Sequence, residues 1–258
     1  MSQHPEVVGL IPAAGVAKRI SPLPSSKELF PIGFHEIATD GQNLVRPKVV
    51  SNYLLENMFS AGASKVWMVL GKGKWDIMNY YGDGSAFGGH ISYLVMEHPW
   101  GMPYTLNQAA PWLGDETVLL GMPDTIFKPA NAFQVMLEKH RASSADVTLG
   151  IFPTDQPQRL CPVVLDKDDN VVEMNDKPVE SDVMNTWGCA CWSSRFTRFM
   201  HEFLNANRKP ATEVVLASVF QAAMEDGLSF NGTFFEQGQY IDIGTPDDLV
   251  LTVRNFSQ

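Results

Sequence analysis

Short apolar runs alternate with longer amphipathic stretches along the chain, the pattern expected when strands covered on both faces are separated by helices. Residues 7–12 read as a first strand, and 66–70, 91–96, 118–120 and 147–152 as further ones. The second half adds strands at 163–166, 171–174, 187–192, 229–234 and 240–243. Between the first two strands, Val49, Val50, Tyr53, Leu54, Met58 and Phe59 fall at near-helical spacing within 47–61. Pro47 suits the first turn of such a helix, and Gly62 follows where it would stop. Helices are also expected over 194–206 and 212–225. A last one should begin at Pro246, with Thr245 as its cap and Asp247 and Asp248 in its first turn. The polar segment 35–46, with Asp40-Gly41 inside it, reads as a surface loop.

No repeat, low-complexity tract or linker divides the chain. The alternation therefore predicts an α/β fold of Rossmann-like type, with a mixed, mostly parallel sheet in a single domain over residues 1–258. Two halves are expected within it, about 1–150 and about 151–258, the alternative being a small second lobe after residue 150. Apolar residues make up 45% of the 258, which is ordinary for a globular chain, and no apolar run approaches the ~20 residues of a membrane helix. The N-terminus lacks a basic start and apolar stretch, so a cytoplasmic protein is expected. Three cysteines, Cys161, Cys189 and Cys191, are too few for a disulfide framework, and no histidines accompany them at ligand spacing. Buried, reduced thiols are expected there.

The net charge of −10 argues against a nucleic-acid partner, and no membrane partner is expected. It leaves small phosphorylated substrates open, because screening over about 8 Å lets nearby side chains decide what a cleft binds. Locally, Lys18, Arg19 and Lys27 fall within ten residues, inside Gly9-Leu-Ile-Pro-Ala-Ala-Gly-Val-Ala-Lys-Arg-Ile-Ser-Pro-Leu-Pro-Ser-Ser-Lys-Glu-Leu-Phe-Pro. The strand runs into the small residues Ala13, Ala14 and Gly15, whose backbone N–H groups could approach phosphate oxygens closely. Arg19 offers a planar fork of donors and Lys27 a compact charge. The bland alternative is a tight turn with solvated basic residues. Neither a Walker-A pattern nor G-x-G-x-x-G occurs, which removes the usual support for ATPase and dinucleotide readings.

This stretch resembles the signature of the sugar-phosphate nucleotidyltransferases, broadly A-G-G-x-G-T-R-x-x-P followed by P-K-x-x-L-P. Its Pro-Ala-Ala-Gly and Lys-Glu-Leu-Phe-Pro segments most resemble the glucose-1-phosphate uridylyltransferases, which are related to the thymidylyltransferases. The resemblance implies a three-layer sandwich of the nucleotide-diphospho-sugar transferase type. It puts Arg19 and Lys27 in the places of the catalytic arginine and lysine, and Ala13, Ala14, Gly15 and Lys18 beside the nucleotide. Ala17-Lys18 departs from the family's Gly-Thr. A loop with positive φ at residue 17 would strain alanine, since only glycine adopts that conformation freely.

Asp124 closes the apolar run from Thr117, at the edge where open α/β sheets bind ligands. The resemblance makes it a Mg²⁺ ligand and adds Asp242, in Tyr-Ile-Asp-Ile-Gly-Thr-Pro, as a second. Two carboxylates, with substrate phosphates completing the shell, suit that ion. By the same resemblance Asp176 and Lys177, in Asn-Asp-Lys-Pro, would contact the sugar phosphate together with Gly188 and with Glu213 on the following helix. Gly101 falls beside the nucleobase, while a base-reading glutamine expected near Met96 is missing. The implied reaction joins a nucleoside triphosphate to a sugar 1-phosphate, giving an NDP-sugar and pyrophosphate, and homo-oligomers are common in the family. The alternatives are a cytidylyltransferase acting on a non-sugar phosphate, or a nucleotide- or sugar-sensing protein without turnover.

Overall fold

In the computed structural model, residues 4–39, 42–98, 100–207 and 212–256 are described. The strands in chain order are β1 (Val7–Ala13), β2 (Pro31–Thr39), β3 (Gln42–Val49), β4 (Lys65–Gly71), β5 (Ile91–Met96), β6 (Thr117–Gly121), β7 (Thr125–Lys128), β8 (Val147–Pro153), β9 (Val163–Leu165), β10 (Val171–Met174), β11 (Asn185–Trp192), β12 (Phe230–Phe234) and β13 (Gln239–Asp242). The helices are α1 (Val50–Ser60), α2 (Trp75–Tyr81), α3 (Met102–Asn107), α4 (Ala132–Ser143), α5 (Ser194–Ala206), α6 (Leu216–Glu225) and α7 (Pro246–Phe256).

Side chains of β1 alternate between two cores because successive residues point to opposite faces. Val8 and Leu10 enter one core with α3, α5 and α6. Val7 and Ile11 enter the other with α1, α2 and α4. The result is the expected three-layer sandwich around a seven-stranded sheet ordered β12, β8, β11, β6, β1, β4, β5. Strand β11 runs antiparallel to both neighbours, and the remaining pairs are parallel. Strands β1, β4, β5, β6 and β8 therefore all end at one edge, where their loops gather. Strand β11 starts at that edge, so Gly188 lies there too.

The cysteines are free and buried, with Cys189 and Cys191 on the same face. Burial pushes the Cys191 thiol up to about 12, so it stays protonated. Among the described residues no helix is long and apolar enough to cross a membrane.

Three expectations need correction. The segment 35–46 is not a loop but most of the β2–β3 hairpin, in which Glu36 pairs with Val45 and Ile37 with Leu44. Asp40-Gly41 lies outside the described residues. Pro47 belongs to β3, opposite Phe34, so α1 starts only at Val50. Helix α6 starts at Leu216 rather than 212, because the Val214 N–H donates to the Trp100 carbonyl (3.2 Å) and ties that segment to another loop.

One buried titratable group outside the loop edge bears on stability. His140, on α4, places Nδ1 3.0 Å from the Thr148 hydroxyl of β8. Burial lowers its pKa; the Asp146 carboxylate opposes this and Arg141 adds to it. The unfolded chain thus takes up this proton more readily, so stability falls as pH drops below the ordinary histidine value of about 6.5. Denaturant titrations from pH 8 to pH 5 should show this loss in the wild type and a flatter profile in His140→Gln. Parallel profiles would remove His140 from the account.

Candidate active site

The loop leaving β1 turns at once. Ala17 takes a φ of +50°, the conformation in which alanine is strained and glycine is not. Its carbonyl accepts from the Ile20 N–H (3.2 Å), the Ser21 N–H (3.1 Å) and the Ser21 hydroxyl (2.9 Å). These bonds hold the strained residue in place and fix where Arg19, inside the turn, leaves the backbone. At Gly15 an added Cβ would meet nothing within 4 Å, so the backbone there stays open to a ligand.

Two carboxylates arrive by a separate route. Asp124 immediately precedes β7 and Asp242 ends β13, and these strands pair antiparallel with Asp242 opposite Thr125. The Ile243 N–H donates to the Asp124 carbonyl (3.1 Å), which extends the ladder past both acids. Lys27 forms an ion pair with Asp124. Burial would pull the Lys27 pKa down, but the charge and hydrogen bond of Asp124, then Glu28 and Asp242, raise it on balance. Asp242 is pushed up to about 6, first by burial and then by the charge of Asp124, against the Gly244 N–H, Lys27 and Arg19. The Gly244 N–H donates to Asp242 Oδ1 at 2.7 Å. A Cβ on Gly244 would lie 2.8 Å from that oxygen and 2.9 Å from Arg19 Nη2. Glycine at this point therefore leaves room for the guanidinium beside the carboxylate.

These groups share one cleft of about 320 Å³. Of the residues expected from sequence, Ala14, Gly15, Arg19 and Lys27 line it from the β1 loop. Asp124, Asp242, Gly101 and Glu213 line it from elsewhere in the chain. Glu213 arrives on the segment before α6, not on the helix. At Gly101, φ is +117° and a Cβ would meet the Val214 carbonyl at 2.2 Å, so glycine is what lets these two segments meet. Ala13 is buried at the end of β1 and Lys18 is exposed, and neither lines the cleft.

Gly188 sits in a β-bulge of β11, where a Cβ would strike the Tyr240 ring at 2.5 Å. Tyr240 in turn lines the cleft, so Gly188 acts through that ring rather than from the wall. Asp176 and Lys177 are exposed in the turn after β10, with Lys177 at φ +50°. The Lys177 N–H donates to the Leu160 carbonyl (2.8 Å). Leu160 lines a second cavity of about 280 Å³ that shares Arg19, Tyr240 and Asp242 with the first.

Sequence reasoning passed over Glu28. It is almost fully buried in the cleft wall, with Oε1 2.6 Å from Lys74 Nζ and Oε2 without a hydrogen-bond partner. Burial raises its pKa against the pull of Lys74. An acid directly after the loop lysine was the available signal. Among the described residues no three His, Cys, Asp or Glu side chains gather as a metal cage. The pair Asp124 and Asp242 matches instead a hard cation that keeps most of its shell for water and phosphate.

The sequence model of the family described as Nucleotidyl transferase matches residues 8–257. A low-salt glycan biosynthesis nucleotidyltransferase, Agl11, from Haloferax volcanii is 24% identical over 246 residues, covering 94% of this chain and 64% of that protein. A mannose-1-phosphate guanylyltransferase from Mycobacterium tuberculosis is 30% identical over 172 residues, 66% of this chain and 45% of that protein. A glucose-1-phosphate thymidylyltransferase from Neisseria meningitidis is 25% identical over 260 residues, 96% of this chain and 84% of that protein. The chain thus spans less than two thirds of the length of the first two relatives. A Bacillus anthracis crystal structure described as a glucose-1-phosphate thymidylyltransferase with sucrose superposes with a TM-score of 0.82, covering 97% of this chain and 95% of that one at 17% identity. That likeness shows the fold.

The strained turn gives a direct test. Ala17→Gly should raise stability by about 1 kcal/mol, or about 2–4 °C in Tm, by releasing the positive-φ penalty. A lower Tm in Ala17→Gly would mean that the turn at residue 17 stores no strain.

Proposed function

Because the chain belongs to the Nucleotidyl transferase family, we propose that it joins a nucleoside triphosphate to a sugar 1-phosphate, releasing pyrophosphate and an NDP-sugar. The observation that carries this reading is the convergence of Arg19, Lys27, Asp124 and Asp242 on one cleft at the loop edge of the sheet. A phosphate oxygen of the sugar 1-phosphate attacks the α-phosphorus, and the bond to the pyrophosphate oxygen breaks. Electrons move from one phosphate oxygen to another, so no protein nucleophile is needed. The chain's task is alignment and stabilisation of charge.

Arg19 fits a bidentate grip on the triphosphate, since its guanidinium lies against the Gly244 turn with room for ligand on the cleft side. Lys27, kept protonated by its acidic neighbours, carries a fixed positive charge to the reacting phosphate. Asp124 and Asp242 would hold Mg²⁺, which when bound neutralises phosphate charge and makes the α-phosphorus more electrophilic. Ala14, Gly15 and Gly101 offer backbone to the nucleotide. The sugar is assigned to the second cavity, beyond Tyr240 and Asp242, with Lys177 and Asp176 at its rim beside Leu160.

Uridylyl and thymidylyl transfer are the first forms of the reaction to test. Met96, near where a base-reading glutamine is expected, is buried outside the cleft and receives the Thr105 hydroxyl on its sulfur at 3.1 Å. It offers no amide to a base, so base choice falls to the cleft groups.

A pyrophosphate-release screen of triphosphates against sugar 1-phosphates, with Mg²⁺, tests the reaction itself. Arg19→Ala and Asp124→Ala should each lose about 10²–10³ in turnover, the usual effect of removing one preorganised charge, while keeping the wild-type far-UV spectrum. Undiminished turnover in either would refute the assignment. Lys177→Ala should raise KM for the sugar phosphate about tenfold or more, leaving KM for the triphosphate alone. An effect confined to the triphosphate would move Lys177 to the other half of the cleft.

A further inference from the structure

The end of β4, the turn after it and the first turn of α2 fasten the phosphate loop at three points. At Gly71 a Cβ would stand 2.7 Å from the Ala14 carbonyl, so the turn's backbone presses on the start of that loop. Lys74 Nζ reaches Glu28 Oε1 at 2.6 Å, and both side chains are largely buried. Asp76 accepts the Ser26 N–H on Oδ2 at 2.6 Å and the Ser26 hydroxyl on Oδ1 at 2.8 Å. Ser26 and Glu28 are the two neighbours of Lys27. Each is held to the turn, while the Lys27 side chain points across the cleft to Asp124.

We propose that Asp76 is a positioning residue, clamping Ser26 so that Lys27 meets the reacting phosphate in register. The inference rests on the cleft being the active site described above. Asp76 also belongs to the first turn of α2 and accepts the Ile77 N–H at 3.1 Å, so a purely helix-stabilising role is the competing account. Its geometry favours the clamp, because both carboxylate oxygens are engaged by Ser26 and one of them also receives Ile77. Burial would raise the Asp76 carboxyl, but the two Ser26 bonds, then the Ile77 N–H, hold it below its usual range. The residue touches no reacting atom and acts through Ser26 on Lys27, where a displacement of about 1 Å can cost on the order of 10²-fold in rate.

The test compares Asp76→Ala, Asp76→Asn and Ser26→Ala with the wild type by steady-state kinetics and by backbone hydrogen exchange. Asp76→Ala should lower kcat about 10²-fold and shift KM for the triphosphate by no more than about threefold. Asparagine keeps a carbonyl for the Ser26 N–H and an amide for its hydroxyl, so Asp76→Asn should recover most of kcat. Ser26→Ala, which loses one bond of two, should fall between them. Exchange in Asp76→Ala should accelerate over residues 14–28, with α2 protected as before. If kcat holds while α2 loses protection, Asp76 serves the helix and the clamp is overturned. Should Asp76→Ala fail to fold, full activity in Ser26→Ala would overturn it as well. A wild type that releases no pyrophosphate with any substrate pair would defeat the functional reading. The exchange comparison would still decide the clamp.

Discussion

The site depends on one short ladder. Pairing of β7 with β13 sets Asp242 opposite Thr125 and next to Asp124, and so brings two carboxylates from positions 118 residues apart into one cleft wall. Two acids at such a spot repel each other, and burial strengthens the repulsion by removing water. The backbone bonds of the ladder hold them there, together with Ile243, which is buried behind the strand in a small core with Ile32, Val50 and Ile126. Lys27 pairs with one acid, and Arg19 shares the Gly244 turn with the other without forming an ion pair to it. Lys27 and Asp124 therefore tie the loop after β1 to the ladder, although the two come from distant parts of the chain.

The loop bearing Arg19 and Lys27 shows how such an arrangement tolerates local strain. Alanine at φ +50° costs about 1–2 kcal/mol where glycine would cost nothing. The three bonds to the Ala17 carbonyl offset part of that cost. The turn after β4 fastens both ends of the loop. A free loop would relax to a cheaper conformation. One anchored at Ala14, Ser26 and Glu28 has to keep the turn at residue 17, and with it the direction of Arg19.

Much of this was legible in the sequence because it rests on local chemistry. The periodicity of β1, β5 and α5 follows from burial on defined faces, and the start of α7 from Thr245, Pro246 and the two acids after it. The Asp248 N–H donates to the Thr245 hydroxyl at 3.3 Å, the capping bond that such a start requires. The strain at Ala17 followed from one residue standing where the pattern has glycine. What escaped lay in contacts between distant segments. The β2–β3 hairpin exposes Phe34 and Val45 among polar residues and carries no clean alternation, so nothing in its composition announced the pairing. Helix α4 buries Ala132, Phe133, Met136, Leu137 and His140, a helical spacing that the sequence does carry and that the strand-centred reading left out. Glu28 resembles any other loop acid until Lys74, 46 residues away, is seen to bury it.

The acidity of the chain, at first sight ill-suited to a polyanionic substrate, is explained at the scale of the cleft. Glu28, Asp124, Glu213 and Asp242 line it against Arg19 and Lys27. With all six ionised, the wall carries more negative than positive charge, and a triphosphate would add to the excess. Glu28 is partly answered by Lys74 from behind. Asp242 resists ionisation, first because it is buried and then because the Asp124 charge lies near it. A divalent cation held by Asp124 and Asp242 would reduce that imbalance where it is greatest. On the proposed reaction, the donor set that makes the wall electrostatically costly on its own would favour a substrate that brings its own divalent metal, as a nucleoside triphosphate does in a magnesium-containing solution.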